Sequence, residues 1–190
     1  DGALDTGKAV GASGESAQSG EIVVLRSALR HVVSKSFDSD LMWLEDLLRE
    51  YNAYFEERTI TGQAEEYSRV LDASIRVPSA SLDDFLTALD DMGTVTLREE
   101  RAEDITADYT DVSTRLAVLR SQLDQLNAMN ETAESVSDLI AIHERATELM
   151  AEIESYESTL RGWSSQQNYS TVSLTVEEDV TGGEDAPSAS

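Results

Sequence analysis

The densest group of chemically capable side chains in this sequence is a run of carboxylates between residues 99 and 111. Asp104, Asp108 and Asp111 recur at a spacing that places all three on one face of a helix. Their oxygens could share a hard cation such as Ca²⁺. The run lacks the glycine that a calcium-binding loop needs for its sharp turn, and acidic residues at a helix start also complement the helix dipole. We favour the dipole interpretation and keep a metal site at these aspartates as the alternative.

No other constellation in the sequence points to catalysis. His31 and His143 are the two histidines, and neither belongs to a zinc-binding pattern. The chain has no cysteine, which excludes thiolate ligands and nucleophiles. It also lacks a nucleophile elbow, a phosphate loop and a dinucleotide fingerprint. We therefore predict no catalytic residue, no cofactor and no enzymatic activity.

A group of aromatic residues lies in and after the first predicted helix. Trp43, Tyr51, Tyr54 and Phe55 could line a small pocket, although packing in the core explains them more simply. Trp43 stands apart from the main apolar face of that helix. It is therefore the member of the group that most favours a ligand pocket.

The charge balance excludes several classes of partner. Asp and Glu total 38 against 14 Lys and Arg, which gives a formal net charge of -24 and a pI near 4.1. Nucleic acids and anionic membrane surfaces require a basic face, so we predict that the chain binds neither. Two explanations for the acidity stay open: a lysine-poor chain selected for solubility, or a halophilic protein whose carboxylates are screened by salt.

Two long heptad patterns, separated by a polar break from Asn127 to Ser137, follow the acidic run. Apolar residues alternate at intervals of three and four in both, as in coiled coils. Because the break is short, we predict an antiparallel helical hairpin over residues 105–165 that projects about 35 to 40 Å. The predicted seam consists of Ile105, Tyr109, Val112, Leu116, Leu119, Leu123 and Leu126, then Leu139, Ile142, Ala146, Leu149, Ile153, Tyr156, Leu160 and Trp163.

The residues around the hairpin carry strand and helix patterns in the order βαββαβ. This order predicts an α+β fold, a ferredoxin-like sandwich in which the hairpin is inserted before a final strand. The predicted helices follow a cap at Asp38 or Ser39 and a cap at Ser81. The predicted strands are Leu29–Val33, Ala53–Thr61, Tyr67–Val77, Thr94–Glu100 and Tyr169–Val176.

The chain divides into a sheet domain, the hairpin and two tails. We assign residues 21–104 and 166–177 to the sheet domain and 105–165 to the hairpin. Residues 1–20 and 178–190 are rich in small and acidic residues, and we predict that both are flexible linkers.

Several short motifs resemble one known family. They are Ile75 to Pro78, Asp84 to Leu86, Gly93 to Val95, Glu103 to Tyr109 with Asp111, Arg115-Leu116, and Tyr169 to Thr175. From about Leu25 to Glu177 the chain resembles the domain-of-unknown-function family DUF4349. The resemblance implies a bacterial or archaeal envelope protein, often a lipoprotein, with a linker ahead of the domain and a membrane helix after it. It thus implies that the linker 178–190 leads toward a membrane anchor that is missing from this sequence. It implies no catalytic residue.

Together these features predict a non-enzymatic, extracytoplasmic, membrane-tethered interaction module that presents the hairpin. It would act as a scaffold, a sensor input or an envelope assembly subunit. The expected partner is an unidentified envelope protein or a second copy of the chain, with the membrane contacted only through the missing anchor. The alternative is a domain that binds a small ligand or a divalent cation where the sheet meets the hairpin.

Overall fold

A five-stranded sheet and four α-helices make up the residues that the computed structural model describes, 21–181. The α+β class is therefore confirmed. The predicted linker 1–20 and all but the first residues of the linker 178–190 lie outside the described residues. The elements are β1 (Val24–Ser34), α1 (Phe37–Glu50), β2 (Tyr54–Thr61), β3 (Val70–Pro78), α2 (Leu82–Leu89), β4 (Thr94–Asp104), α3 (Thr106–Thr132), α4 (Val136–Asn168) and β5 (Tyr169–Glu178).

The strands lie in the order β2-β3-β5-β1-β4. β1 and β5 are parallel, whereas the other neighbouring strands are antiparallel. In a simple four-stranded βαββαβ sandwich β1 and β3 would pair with each other. Here β5 lies between them, so the chain returns from α4 to the centre of the sheet. The alternation of apolar and polar residues in β5 predicted a strand but did not predict its position at the centre of the sheet.

One face of the sheet carries the core. Alternate residues of the strands point toward α1 and α2, which cover that face, and each large apolar side chain buried there contributes about 1.5–3 kcal/mol. The other face of β5 carries Thr171, Ser173 and Thr175. The most deeply buried core residues include Val32, Leu44, Leu71, Ile75, Val77, Leu82, Phe85, Leu89, Val172, Leu174 and Val176.

Two strands, β1 and β4, are at least four residues longer than the sequence predicted. β1 begins at Val24 rather than Leu29, and β4 continues to Asp104 rather than ending at Glu100. The two extensions pair with each other, beginning at Val24 opposite Asp104. Backbone pairing can continue through polar residues because their side chains project into solvent. The hydropathy pattern therefore underestimates the length of such a strand.

The first helix begins earlier than predicted, at Phe37, with Ser36 at its N-cap. Asp38, one of the two predicted caps, lies within the first turn, as does Ser39. The buried side chain of Phe37 packs in the core, and the hydroxyl of Ser34 donates a hydrogen bond to Asp40. Tertiary packing of Phe37 thus outweighs the local preference for a cap at Asp38 or Ser39.

Helices α3 and α4, together called the arm, pack against each other in antiparallel orientation. The rings of Tyr109 and Trp163 lie 6.2 Å apart near the sheet, and further out Arg120 Nη2 lies 2.7 Å from Glu157 Oε1. All predicted seam residues are buried or partly buried except Leu139, which is 36 % exposed. None of the helices among residues 21–181 is long and apolar enough to cross a membrane.

The break between the two arm helices is shorter than predicted. α3 continues to Thr132 and α4 begins at Val136, so only three of the residues assigned to the break separate the helices. The polar residues after Asn127 remain helical because their side chains face solvent at the end of the arm. Ser135 caps α4, since its hydroxyl accepts a hydrogen bond of 3.0 Å from the backbone N–H of Asp138.

Candidate functional site

The arm joins the sheet through β1 and the beginning of α3. The backbone N–H of Ile105 donates to the carbonyl of Val23 at 2.9 Å, and the N–H of Val23 donates to the hydroxyl of Thr106 at 2.9 Å. Ile105 is buried at this point. At the other side of the joint, α4 ends at Asn168 and β5 follows without a loop. The base of the arm is therefore anchored to two neighbouring strands.

The three aspartates proposed as metal ligands have separate surroundings. Asp104 Oδ1 accepts hydrogen bonds from the Thr106 hydroxyl at 2.6 Å and from its backbone N–H at 2.9 Å, which together hold the pKa of Asp104 below its usual value. Asp111 pairs with Arg115 at 3.0 Å. Asp108 lies in the first turn of α3, where its charge complements the dipole. Across residues 21–181 no three His, Cys, Asp or Glu side chains are grouped to hold a metal ion.

The two histidines lie on different elements. His31 lies on the polar face of β1, with Nε2 3.2 Å from Glu177 Oε1, but the two atoms do not form a hydrogen bond. His143 is exposed on α4. The structure brings neither histidine into the acidic run.

The four aromatic residues are divided among different neighbours. Tyr51 packs edge-on against Phe85 of α2 with ring centroids 5.8 Å apart, whereas Tyr54 contacts Tyr169 of β5 at 6.0 Å. Arg58 lies over the ring of Phe55. Trp43 remains partly exposed on α1. A common pocket is therefore not formed by these residues.

A row of four side chains that the sequence did not single out crosses the polar face of the sheet. Arg76 pairs with Thr171, Thr171 pairs with Ser27, and Ser27 pairs with Arg101, so the row spans β3, β5, β1 and β4. These residues, called the arginine row, are scattered over 145 positions of the sequence and meet only through strand register. No local pattern could have predicted them.

A cavity of about 200 Å³ lies over the arginine row, between the sheet and the last turns of α4. Arg76 is only 8 % exposed. Its guanidinium donates to the Thr171 hydroxyl at 2.7 Å, and to the Ser165 hydroxyl and carbonyl at 3.1 and 3.3 Å. All three acceptors are neutral. Glu103 is the one carboxylate residue among those that line the cavity.

Arg76 and Arg101 differ from the other arginines of the described chain. Within residues 21–181 neither has a carboxylate within 4.0 Å, whereas every other arginine does. Arg30, for example, is buried between Asp90 at 2.8 Å and Glu100 at 2.7 Å. The joint therefore holds two cationic groups that have no counter-ion among residues 21–181, although the protein is strongly acidic.

Comparison with known proteins identifies the family. A family model described as Domain of unknown function (DUF4349) matches residues 23–190. The chain belongs to the DUF4349 family. The resemblance drawn from its motifs is thus confirmed. No curated protein and no solved structure is detectably similar to this DUF4349 chain.

The far end of the arm in this DUF4349 chain exposes large apolar side chains. Met129 in the last turns of α3 is 55 % exposed, and Val136 and Ile140 at the start of α4 are 72 % and 54 % exposed. These three residues are called the tip below. The predicted break, Asn127 to Ser137, includes two of them. The polar composition of this segment predicted a break between the helices. It did not indicate that the apolar residues within the segment would be exposed.

Proposed function

We propose that this DUF4349 chain is a non-enzymatic, extracytoplasmic interaction module, tethered to a membrane, whose coiled-coil arm contacts a protein of the cell envelope. In this proposal the sandwich is a ferredoxin-like unit with β5 inserted at its centre. The observation that carries the proposal is the exposed apolar tip on a chain of net charge -24. Apolar side chains grouped on an otherwise charged surface are typical of sites of protein contact.

The construction of the arm supports contact at its far end. α3 contains 27 residues, so the arm extends about 40 Å from the sheet at 1.5 Å per residue. Its seam is closed by Leu116, Leu149 and Ile153 in the middle, where these side chains are buried. The far end of the arm carries four exposed large apolar side chains, the three of the tip and Leu139, whereas the middle carries two, Val118 and Met150.

The direction of the strands supports a tether after β5. β1 begins beside the arm, because Val24 pairs with Asp104 at the entry to α3. β5 begins at the same end and runs parallel to β1, so it ends at the opposite side of the sheet. If the chain continues from there to a membrane, the base of the arm lies at the end of the sheet away from the tether.

Cross-linking from the tip tests the proposal. Because the chain has no cysteine, an introduced cysteine is the single position at which a thiol-reactive cross-linker attaches. Val136→Cys carrying a photoactivated cross-linker is expected to capture one protein partner in native membranes. Glu144→Cys, at an exposed position of α4 about two turns beyond Val136, serves as the matched control and should not. Adding Ile140→Asp to the Val136→Cys chain should abolish capture, because a charge would have to be buried in the contact.

Two results would contradict an interaction through the tip. One is equal capture from Glu144→Cys, and the other is capture that survives Ile140→Asp. Capture of a second copy of the chain would instead assign the tip to self-assembly, the other partner predicted from the sequence.

The second candidate function is ligand binding at the joint. If the ligand were a divalent cation, Asp104, Asp108 and Asp111 would have to bind it. Asp104 and Asp111 are already engaged by Thr106 and Arg115, so titration calorimetry with Ca²⁺ and Mg²⁺ should give no saturable heat. Saturable heat that disappears in Asp108→Asn would restore that version. The arginine row favours an anionic ligand instead.

A further inference from the structure

We propose that the cavity over the arginine row binds a small oxyanion, through its phosphate or carboxylate oxygens, between Arg76 and Arg101. This inference develops the second candidate function, ligand binding at the joint. It is independent of the arm and its partner.

The register of the strands places the two arginines on either side of Thr171 and Ser27 on the polar face of the sheet. Neighbouring strands lie about 4.8 Å apart, so the Cα atoms of Arg76 and Arg101, three strand spacings apart, are separated by about 14 Å. The residues between them, Thr171 and Ser27, have small side chains. Two long guanidinium side chains can therefore converge above hydroxyl groups.

Charge is the main reason to expect an anion. A buried cation without a counter-ion is costly, and Arg76 is nearly buried, with only neutral acceptors among the described residues 21–181. The chain has an excess of carboxylates, yet Glu103, the one carboxylate residue on the lining, lies more than 4.0 Å from both guanidinium groups. An external anion would supply the negative charge that residues 21–181 do not provide to Arg76 and Arg101.

The groups around the cavity match an oxyanion in kind and in size. Guanidinium groups present paired N–H donors that suit carboxylate and phosphate oxygens, and the hydroxyls of Ser27 and Tyr169 are further donors on the lining. A volume of about 200 Å³ is smaller than the roughly 300–1,000 Å³ of drug-sized pockets. A phosphate or a short dicarboxylate fits this space.

Arg76 also has a structural role, because it donates to the Ser165 carbonyl and hydroxyl in α4. Replacing it would disturb the joint whether or not an anion binds. Arg101 and Glu103 lack such contacts and lie on the exposed end of β4. The decisive variants are therefore Arg101→Gln, which removes a cation from the lining, and Glu103→Gln, which removes its carboxylate.

The experiment is an NMR titration of the full chain with inorganic phosphate and, separately, with succinate, against chloride at equal ionic strength. Backbone amides of Ser27, Arg101 and Thr171 should shift saturably with one or both anions, with a dissociation constant below about 1 mM. Arg101→Gln is expected to weaken binding at least about tenfold. Glu103→Gln should tighten it several-fold, a gain that misfolding cannot produce. Arg145→Gln, which removes the same charge from the arm, should bind like the unaltered chain.

The two anions distinguish a phosphate ligand from a carboxylate ligand. Absence of saturable shifts with both would overturn the proposal. So would equal weakening by Arg101→Gln and Arg145→Gln, because only the overall charge would then matter. The tip cross-linking is unaffected by either result, so the two proposals fail separately.

Discussion

At the scale of single residues, carboxylates on several elements hold the arginines of this acidic chain. Arg69 illustrates the arrangement: it contacts Glu178 at 2.7 Å and Asp38 at 2.9 Å, so it ties the end of β5 to the first turn of α1. Its guanidinium also lies 4.6 Å from the ring centroid of Phe37. Arg69 thereby stabilises the edge of the core at which β5 ends.

From the contact between Arg69 and Glu178 we predict that the stability of the protein depends on pH. Hydrogen bonds from the Arg69 side chain hold the pKa of Glu178 below its usual value. A carboxylate whose pKa is lowered by folding stabilises the protein above its unfolded pKa of about 4.3, and this contribution is lost as pH falls through the folded pKa. Glu178→Gln should therefore lower the free energy of unfolding by about 2 kcal/mol at neutral pH. The difference should vanish in acid.

Urea unfolding of both proteins at a series of pH values measures this difference. Glu177→Gln is the control, because its side chain is 49 % exposed and lies on the other face of β5. Its effect should stay within about 0.5 kcal/mol. A loss in Glu178→Gln that persists unchanged below the folded pKa would show that charge is not its cause.

Residue-scale predictions from the sequence succeeded only where the determinant was local. β4 and β5 begin at Thr94 and Tyr169, as the local alternation of apolar and polar residues predicted. Asp38 and Ser39 were equally good caps in the sequence, but the burial of Phe37 decided the start of α1. The arginine row depends on the register of four strands, which no single segment contains.

At the scale of elements, the arm should unfold without the sheet. Leu149 is buried in the seam, so Leu149→Ala is expected to destabilise the arm by about 3 kcal/mol. Hydrogen exchange should then show faster exchange of α3 and α4 amides, while β1 and β5 amides remain protected. Ile140→Ala, at an exposed tip position, should cost less than about 0.5 kcal/mol. Equal acceleration throughout the chain would show instead that the arm and the sheet unfold together.

The arm also shows which features of an element its sequence determines. Heptad spacing predicted the seam residues, Leu139 apart, because it reports directly which side of a helix is shielded. The end of α3 was missed because polar residues beyond Asn127 are compatible with both a loop and a solvated helix. The hydroxyl of Ser135, three residues before Asp138, was the available signal for the true start of α4.

At the scale of the whole molecule, the net charge of -24 opposes folding through repulsion among carboxylates. Raising NaCl from about 0.1 M to 1 M shortens the screening length from about 10 Å to 3 Å. The Tm is therefore expected to rise over this range, as a halophilic protein would require. Differential scanning calorimetry in NaCl and in Na₂SO₄ at equal ionic strength separates screening from the exclusion of sulfate from the surface. An unchanged or lower Tm in NaCl would contradict dominant repulsion.

The parallel pairing of β1 with β5 has a mechanical consequence. The chain enters β1 at the end of the sheet next to the arm and leaves β5 at the opposite end. Tension applied across these two points pulls the neighbouring strands past each other, so the hydrogen bonds from Ser27–Thr171 to Ser34–Glu178 share the load. The force passes directly from one strand to the other. The arm, although it lies between them in sequence, stays outside the path of the load and keeps its shape while the chain is stretched.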